Sequence, residues 1–296
     1  MQENNLQQKK PAIKQSWLRI LLFVLMYLIS SVILSIIAGT LLVLTGFTTA
    51  EELQSVMGNK GNINIMIFSQ LFSLIAAAIS IWVFRKFVDK KTISSLGFEI
   101  KGKFKDIIGG FLVGFILLFL GFIVLYFTNQ LTVTGFTYSA KDILGSLILF
   151  IIVAVVEESI FRGYVLSNLM GSLKNKYIAL LISAAIFALF HGINPNISVL
   201  GFINLILAGL ALGITYIHTK NLWFPIFLHI SWNYFQGPIF GFEVSGLNIK
   251  SIINHDVVGS DLITGGKFGF EGSILLTFLL IGMVIVVDRF LAKKIA

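Results

Sequence analysis

The sequence predicts an all-α fold: a polytopic bundle of transmembrane helices with about eight spans and both termini cytoplasmic. Three observations predict it. The chain of 296 residues is 56% hydrophobic and only 12% charged, with a mean hydropathy of +0.92, whereas a soluble domain carries about 25% charged residues. Its apolar runs are long and unbroken rather than alternating, which selects helices over a closed barrel, the two architectures that satisfy backbone polar groups in lipid. Basic residues cluster in every second segment between the runs, as the positive-inside rule requires.

Residues 1–16 are polar and carry Lys9, Lys10 and Lys14, which reads as a cytoplasmic tail. Spans one to three occupy 17–140. The first covers about 17–44, with Trp17 and Arg19 as interfacial anchors. A polar loop with Glu51, Glu52 and Lys60 leads to span two, about 63–84, which holds Ser69 and Gln70. The most basic stretch follows: Arg85, Lys86, Lys90, Lys91, Lys101, Lys103 and Lys105. Span three, about 107–127, contains Gly110 and Gly114 at the small-xxx-small spacing that lets helices approach closely.

Spans four to seven fill a core at 141–240. Span four runs from about 143 to 170 and span five from about 177 to 191, where Gly192-Ile-Asn-Pro195 ends it because proline cannot continue a helical ladder. Span six, about 197–217, repeats the small-residue spacing at Gly209 and Gly213. Span seven, about 222–239, has Pro225 in its first turn, where proline is harmless. A Gly-rich polar loop at 241–272 is expected to be extracytoplasmic. Span eight and a basic cytoplasmic tail complete 273–296, with Arg289, Lys293 and Lys294 near the end. A multi-pass protein of a bacterial plasma membrane, with the lipid bilayer as its solvent, is the expected setting.

Composition also excludes several chemistries. The chain has no cysteine, so disulfides, thiolate metal ligands and cysteine nucleophiles are absent. The net charge of +8 is spread over span flanks, where it sets topology, and is not a nucleic-acid footprint. No internal repeat supports an inverted-repeat transporter.

Candidate functional residues are the polar groups inside the spans. Glu157, Glu158 and Arg162 sit within span four, between charge-free runs at 147–156 and 163–170. Charged groups at membrane depth are costly, and they mark functional sites when they face a cavity or one another. The i,i+4 spacing pairs Glu158 with Arg162, and Glu157, rotated by about 100°, is left free. A free glutamate in a low-dielectric cavity suits general base or acid work. The plain alternative is a buried salt-bridge cluster that only fixes packing. His191 ends span five, and His229 and Asn233 share one face of span seven. At about 1.5 Å rise per residue, these groups fall into one layer of the bundle. Glutamate can take a proton from water there, and histidine and asparagine can stabilise an oxyanion. The same groups could hold a divalent metal, although HExxH is absent.

Glu157-Glu158-x-x-x-Arg162, Phe187-x-x-x-His191 and His229-x-x-x-Asn233 together resemble the three motifs of the CAAX prenyl protease and bacteriocin-processing family, also called CPBP or Abi. This is the family of the Ras-converting CAAX endopeptidase. The resemblance covers about 145–240. It implies an eight-helix membrane bundle, a site open towards the cytoplasm, and an endopeptidase acting on a membrane-associated protein or peptide. By resemblance, Glu157 would activate water, His191 would orient it, His229 and Asn233 would form the oxyanion site, and Glu158 and Arg162 would support them. No cofactor is required in this reading. A zinc-dependent version, with Glu157, His191 and His229 as ligands, is the alternative within the family, and a non-catalytic scaffold or immunity protein is the alternative outside it.

Overall fold

A computed structural model describes residues 10–57, 62–247 and 249–295. The first nine residues of the expected tail, Lys60 and the side chain of Lys294 lie outside the described residues. The chain is overwhelmingly helical. Its elements are α1 (Ser16–Leu44), α2 (Ala50–Met57), α3 (Ile63–Val83), α4 (Phe104–Phe127), β1 (Leu131–Phe136), α5 (Ala140–Glu158), α6 (Ser167–Met170), α7 (Lys176–Phe190), α8 (Val199–Thr219), α9 (Trp223–Tyr234), β2 (Ile253–Val257), α10 (Asp261–Thr264) and α11 (Ile274–Ile295).

All eight apolar runs form helices. Among the described residues, six have the length and hydropathy of a membrane span: Ser16–Leu44, Ile63–Val88, Phe104–Phe127, Ala140–Met170, Val199–Thr219 and Ile274–Lys293. The other two are shorter. α7 has 15 residues, and α9 has 12 before it passes into a π-helical turn at Phe235–Ile239.

One departure from an all-helical chain joins the segment between spans three and four to the Gly-rich loop. β1 pairs antiparallel with β2, Leu131 opposite Val257 and Phe136 opposite Ile253, with an irregularity between Val133 and Gly135. Leu131-Thr-Val-Thr alternates as a half-buried strand should, but its partner is some 120 residues away, so no hairpin signal marks it locally. The Gly-rich segment that contains β2 also returns apolar groups to the interior: Phe242, Val244, Phe268 and Phe270 are all buried.

The glycine pairs set the helix spacing. A Cβ on Gly110 would collide with the carbonyl of Phe224, and one on Gly114 would lie 2.9 Å from the oxygen of Leu228 and 2.9 Å from Ser231 Oγ. α4 and α9 therefore touch backbone to backbone, the arrangement small-xxx-small spacing permits. Ser231 Oγ donates to the Phe111 carbonyl at 2.6 Å and fixes the register. On the other side a Cβ on Gly209 would lie 2.8 Å from Ala184 Cα, and one on Gly213 would strike the Leu180 side chain. These contacts hold α8 tight against α7.

The helix carrying the paired carboxylates is not uniform. α5 passes at Ser159 into a π-helical stretch that runs to Leu166 and then into α6. Widened turns of this kind re-aim side chains and recur at functional sites. Within that stretch Tyr164 stacks on Phe23 of α1, centroids 3.8 Å apart, and meets Phe84 edge-on.

Two basic residues differ from their sequence expectation. Arg19 is not an interfacial anchor. It is buried and donates from Nη1 to Asp89 Oδ1 at 2.8 Å and from Nη2 to Ser16 Oγ at 2.7 Å. Arg85 likewise leaves the basic flank, is buried, and donates to Asp89 Oδ2 at 3.2 Å. Asp89 is the reason: one carboxylate just past α3 draws both guanidiniums inward. Trp17 stays exposed, as an interfacial residue should.

Candidate active site

The π-helical segment, α7 and α9 bring the motif residues to one place. Glu158 and Arg162 form the expected pair, Nη1 to Oε1 at 2.8 Å, with neither side chain more than 1% accessible. Arg162 is anchored further. Its Nη2 donates to the Gly209 carbonyl at 3.0 Å, and its guanidinium lies 4.7 Å from the centroid of the Phe187 ring, a cation–π distance. Here the close approach at Gly209 has a second use, because it leaves that carbonyl within reach.

Glu158 does more than neutralise Arg162. Its Oε1 also meets His229 Nδ1 at 2.9 Å. A carboxylate held by an arginine is an acceptor, so Nδ1 of His229 carries the hydrogen. The ring is thereby oriented, and its Nε2 points towards Glu157 Oε2 at 3.9 Å. His191 is fixed by a parallel device. Its Nδ1 lies 2.9 Å from the Phe187 carbonyl, which only accepts, so Nδ1 is again the protonated nitrogen. Its Nε2 faces Glu157 Oε2 at 3.8 Å.

Glu157 is held differently. The two contacts exceed hydrogen-bond length, and Oε2 accepts no hydrogen bond within the protein. About a quarter of the side chain, 24%, remains accessible, against none of Glu158. The division of roles expected from helical spacing is thus present as geometry: one carboxylate is consumed by Arg162 and His229, and the other is presented to a cavity.

That cavity has a volume of about 420 Å³. Glu157, His191, His229 and Asn233 all line it, with a largely apolar wall from Leu149, Phe161, Leu212 and Leu280 among others. Asn233 is buried one turn beyond His229 on α9. Sequence reading missed several lining groups. Tyr27 reaches in from α1 with its hydroxyl 2.9 Å from Ser73 Oγ. Asn194 follows His191 by one turn, a signal the sequence did contain. Gln70 was noted in its span without a role. Glu271 comes from a segment read as a polar loop, where a solvated carboxylate is the default.

The donor types around Glu157 suit zinc, but their spacing is wide. Ligands at zinc bond lengths in a tetrahedron lie about 3.4 Å apart, against 3.8 and 3.9 Å here. No group of three or more His, Asp and Glu side chains among the described residues is arranged to hold a metal ion.

Fold and site together define a class: a polytopic helical membrane protein with an oriented carboxylate–histidine cluster inside its bundle. Comparison with known proteins takes the assignment further. The family model for Rce1-like proteins, described as type II CAAX prenyl endopeptidase Rce1-like, matches residues 139–235. Over that stretch the chain is similar to the CAAX prenyl protease family of membrane endopeptidases, and the matched residues contain all three motifs. No curated protein and no solved structure matches the chain.

Proposed function

We propose that the chain hydrolyses a peptide bond of a membrane-associated protein or peptide, with Glu157 as the base that activates water. The observation that carries this reading is the contrast between the two adjacent carboxylates: Glu158 is inaccessible and held at Oε1 by Arg162 and His229, while Glu157 has no hydrogen-bonded partner at Oε2 and faces the cavity between two imidazole Nε2 atoms. Water bound to the cavity side of Glu157 gives up a proton to the carboxylate as its oxygen attacks the scissile carbonyl. His191, fixed through Nδ1, orients that water. The oxygen of the tetrahedral intermediate is taken up by the Asn233 amide and by His229, which in its doubly protonated form donates from Nε2. The carboxyl of Glu157 then returns its proton to the leaving amine, and the carboxylate is regenerated.

The orientation belongs to the same reading. Lysine and arginine at 85–91, 101–105, 174–176 and 289–294 place those segments on the cytoplasmic side by the positive-inside rule, with both termini cytoplasmic and α7 and α9 as shortened spans. Plasma-membrane location follows from that arrangement in a bacterial cell.

The test is comparative proteomics of membrane peptides from cells with wild-type protein and with Glu157→Ala. Peptides whose termini depend on Glu157, and on His191 in a second variant, support the reading. Full processing by both variants sinks it and leaves a scaffold role. Activity retained after chelation, with no zinc found by elemental analysis, supports a metal-free route. Loss on chelation with recovery on added zinc supports the metal-dependent one.

A further inference from the structure

The cavity wall holds a second carboxylate outside the motifs. Glu271 lies in the turn Phe270–Gly272 ahead of α11, is 7% exposed, and lines the cavity together with Glu157. Three donors hold it. Trp232 Nε1 donates to Oε1 at 3.3 Å, and the backbone N–H and hydroxyl of Ser245 donate to Oε2 at 2.8 and 2.7 Å. All three are neutral. Among the described residues Glu271 has no ion pair, whereas the buried Glu158 and Asp89 each have an arginine. A carboxylate withdrawn from water without a counter-ion is an unfavourable arrangement that an arriving cation relieves. Oε1, with one long contact, keeps acceptor capacity for it.

The rest of the wall points the same way. No lysine or arginine lines the cavity among the described residues, and its polar groups besides His191 and His229 include the neutral amides Gln70, Asn194 and Asn233. Even with His229 carrying a positive charge, two carboxylates within low-dielectric walls leave a net negative potential that concentrates cations and repels anions.

We infer that the cavity selects a peptide segment carrying a positive charge, a lysine or arginine side chain with Glu271 as its counter-ion, and disfavours a segment that ends in a free carboxylate. The inference deepens the endopeptidase reading and rests on it. The chain would then cut within a polypeptide near a basic residue rather than trim close to a free C-terminus.

Binding tests this without turnover. The probes are three synthetic apolar peptides, all N-acetylated: one with a central lysine and an amidated C-terminus, one with norleucine in its place, and the norleucine peptide with a free C-terminal carboxylate. Each is titrated against the purified full chain in detergent micelles, read by indole emission, since Trp232 lies on the cavity wall beside Glu271. The lysine peptide should bind at least tenfold more tightly than its norleucine counterpart, and the free carboxylate should bind more weakly than the amide. Glu271→Gln should reduce the lysine advantage below threefold, and Glu271→Asp, which keeps the charge, should restore part of it. Equal affinity for lysine and norleucine in the wild type overturns the inference, as does an undiminished advantage in folded Glu271→Gln, or no saturable binding of the lysine peptide. If Glu271→Gln does not fold, the wild-type series and Glu271→Asp decide. The fate of the endopeptidase reading is settled separately, by proteomics on Glu157→Ala.

Discussion

Two clusters of charge are buried in this bundle, and they are built to opposite specifications. At the end of α3, Asp89 is closed on both oxygens, by Arg19 at 2.8 Å and Arg85 at 3.2 Å, and its side chain has no accessible surface. Inside the bundle, Glu157 is bordered by two imidazoles at 3.8 and 3.9 Å, hydrogen-bonded to neither, and open to a cavity. The first cluster ties α1 to the end of α3. The second ties nothing. Burial of charge alone therefore does not mark a working site; a buried charge left without its partner does. Glu158 is the instructive intermediate, because it is as inaccessible as Asp89 but held on Oε1 alone, and one of its two partners is the ring that faces Glu157.

The largest effect that could break this contrast is on activity. Glu157→Gln should lower hydrolysis by about a thousandfold or more, within the usual range for removing a general base together with its charge. Its melting temperature should stay at or above that of the wild type, because an unpaired buried carboxylate has been removed. A variant that melts well below wild type would place Glu157 with Asp89, as a structural group.

Asp89→Ala should show the reverse. Removing one partner of a buried ion pair is destabilising by about 3–5 kcal/mol, and here two guanidiniums are left facing each other. The expected outcome is a large fall in melting temperature and in folded yield, with specific activity per folded molecule near wild type. Arg162→Ala should lose both properties, since it removes the arginine counter-ion of the buried Glu158 and loosens the carboxylate that orients the His229 ring. If Arg162→Ala melts like wild type, the pairing with Glu158 contributes little, and the ordering of His229 needs another cause.

How far the sequence exposed these two clusters follows from local spacing. Glu158 and Arg162 are four apart on one helix, so their pairing was legible, and with it the freedom of Glu157. Their turn is π-helical rather than α-helical, which periodicity could not show. His191, His229 and Asn233 were legible because polar groups are rare in apolar spans. The Arg19–Asp89 pair was not, since its members are 70 residues apart and each sits at a span end, where solvated charge is the default. Glu271 and the pairing of β1 with β2 escaped for the same reason: what defines them is a distant partner, and their own segments read as polar loop.

A smaller effect tests how α9 is held in place to carry His229 and Asn233. Gly114→Val should push α4 away from α9, because even a Cβ there lies 2.9 Å from Leu228 O. Overpacking of this kind is destabilising by about 1–3 kcal/mol. Activity should fall along with stability, since the displaced helix carries two of the motif side chains. Gly282→Ala offers the control, because nothing lies near a Cβ at that position. It should leave melting and activity unchanged.

The smallest effect separates steric contact from hydrogen bonding at the same crossing. Ser231→Ala removes the bond to the Phe111 carbonyl at 2.6 Å and should lower stability by about 1 kcal/mol. A Cβ on Gly114 would meet both Oγ and Cβ of Ser231 at 2.9 Å. Ser231→Ala therefore takes away only one of the two obstructing atoms, while Ser231→Gly takes away both. In a double-mutant cycle, Gly114→Ala should be relieved more by Ser231→Gly than by Ser231→Ala, with a coupling of about 0.5–3 kcal/mol for residues in contact. Equal coupling in the two cycles would mean that the Leu228 carbonyl sets the crossing distance. The α4–α9 contact would then be governed by backbone alone, as the contact at Gly110 with the Phe224 carbonyl already is.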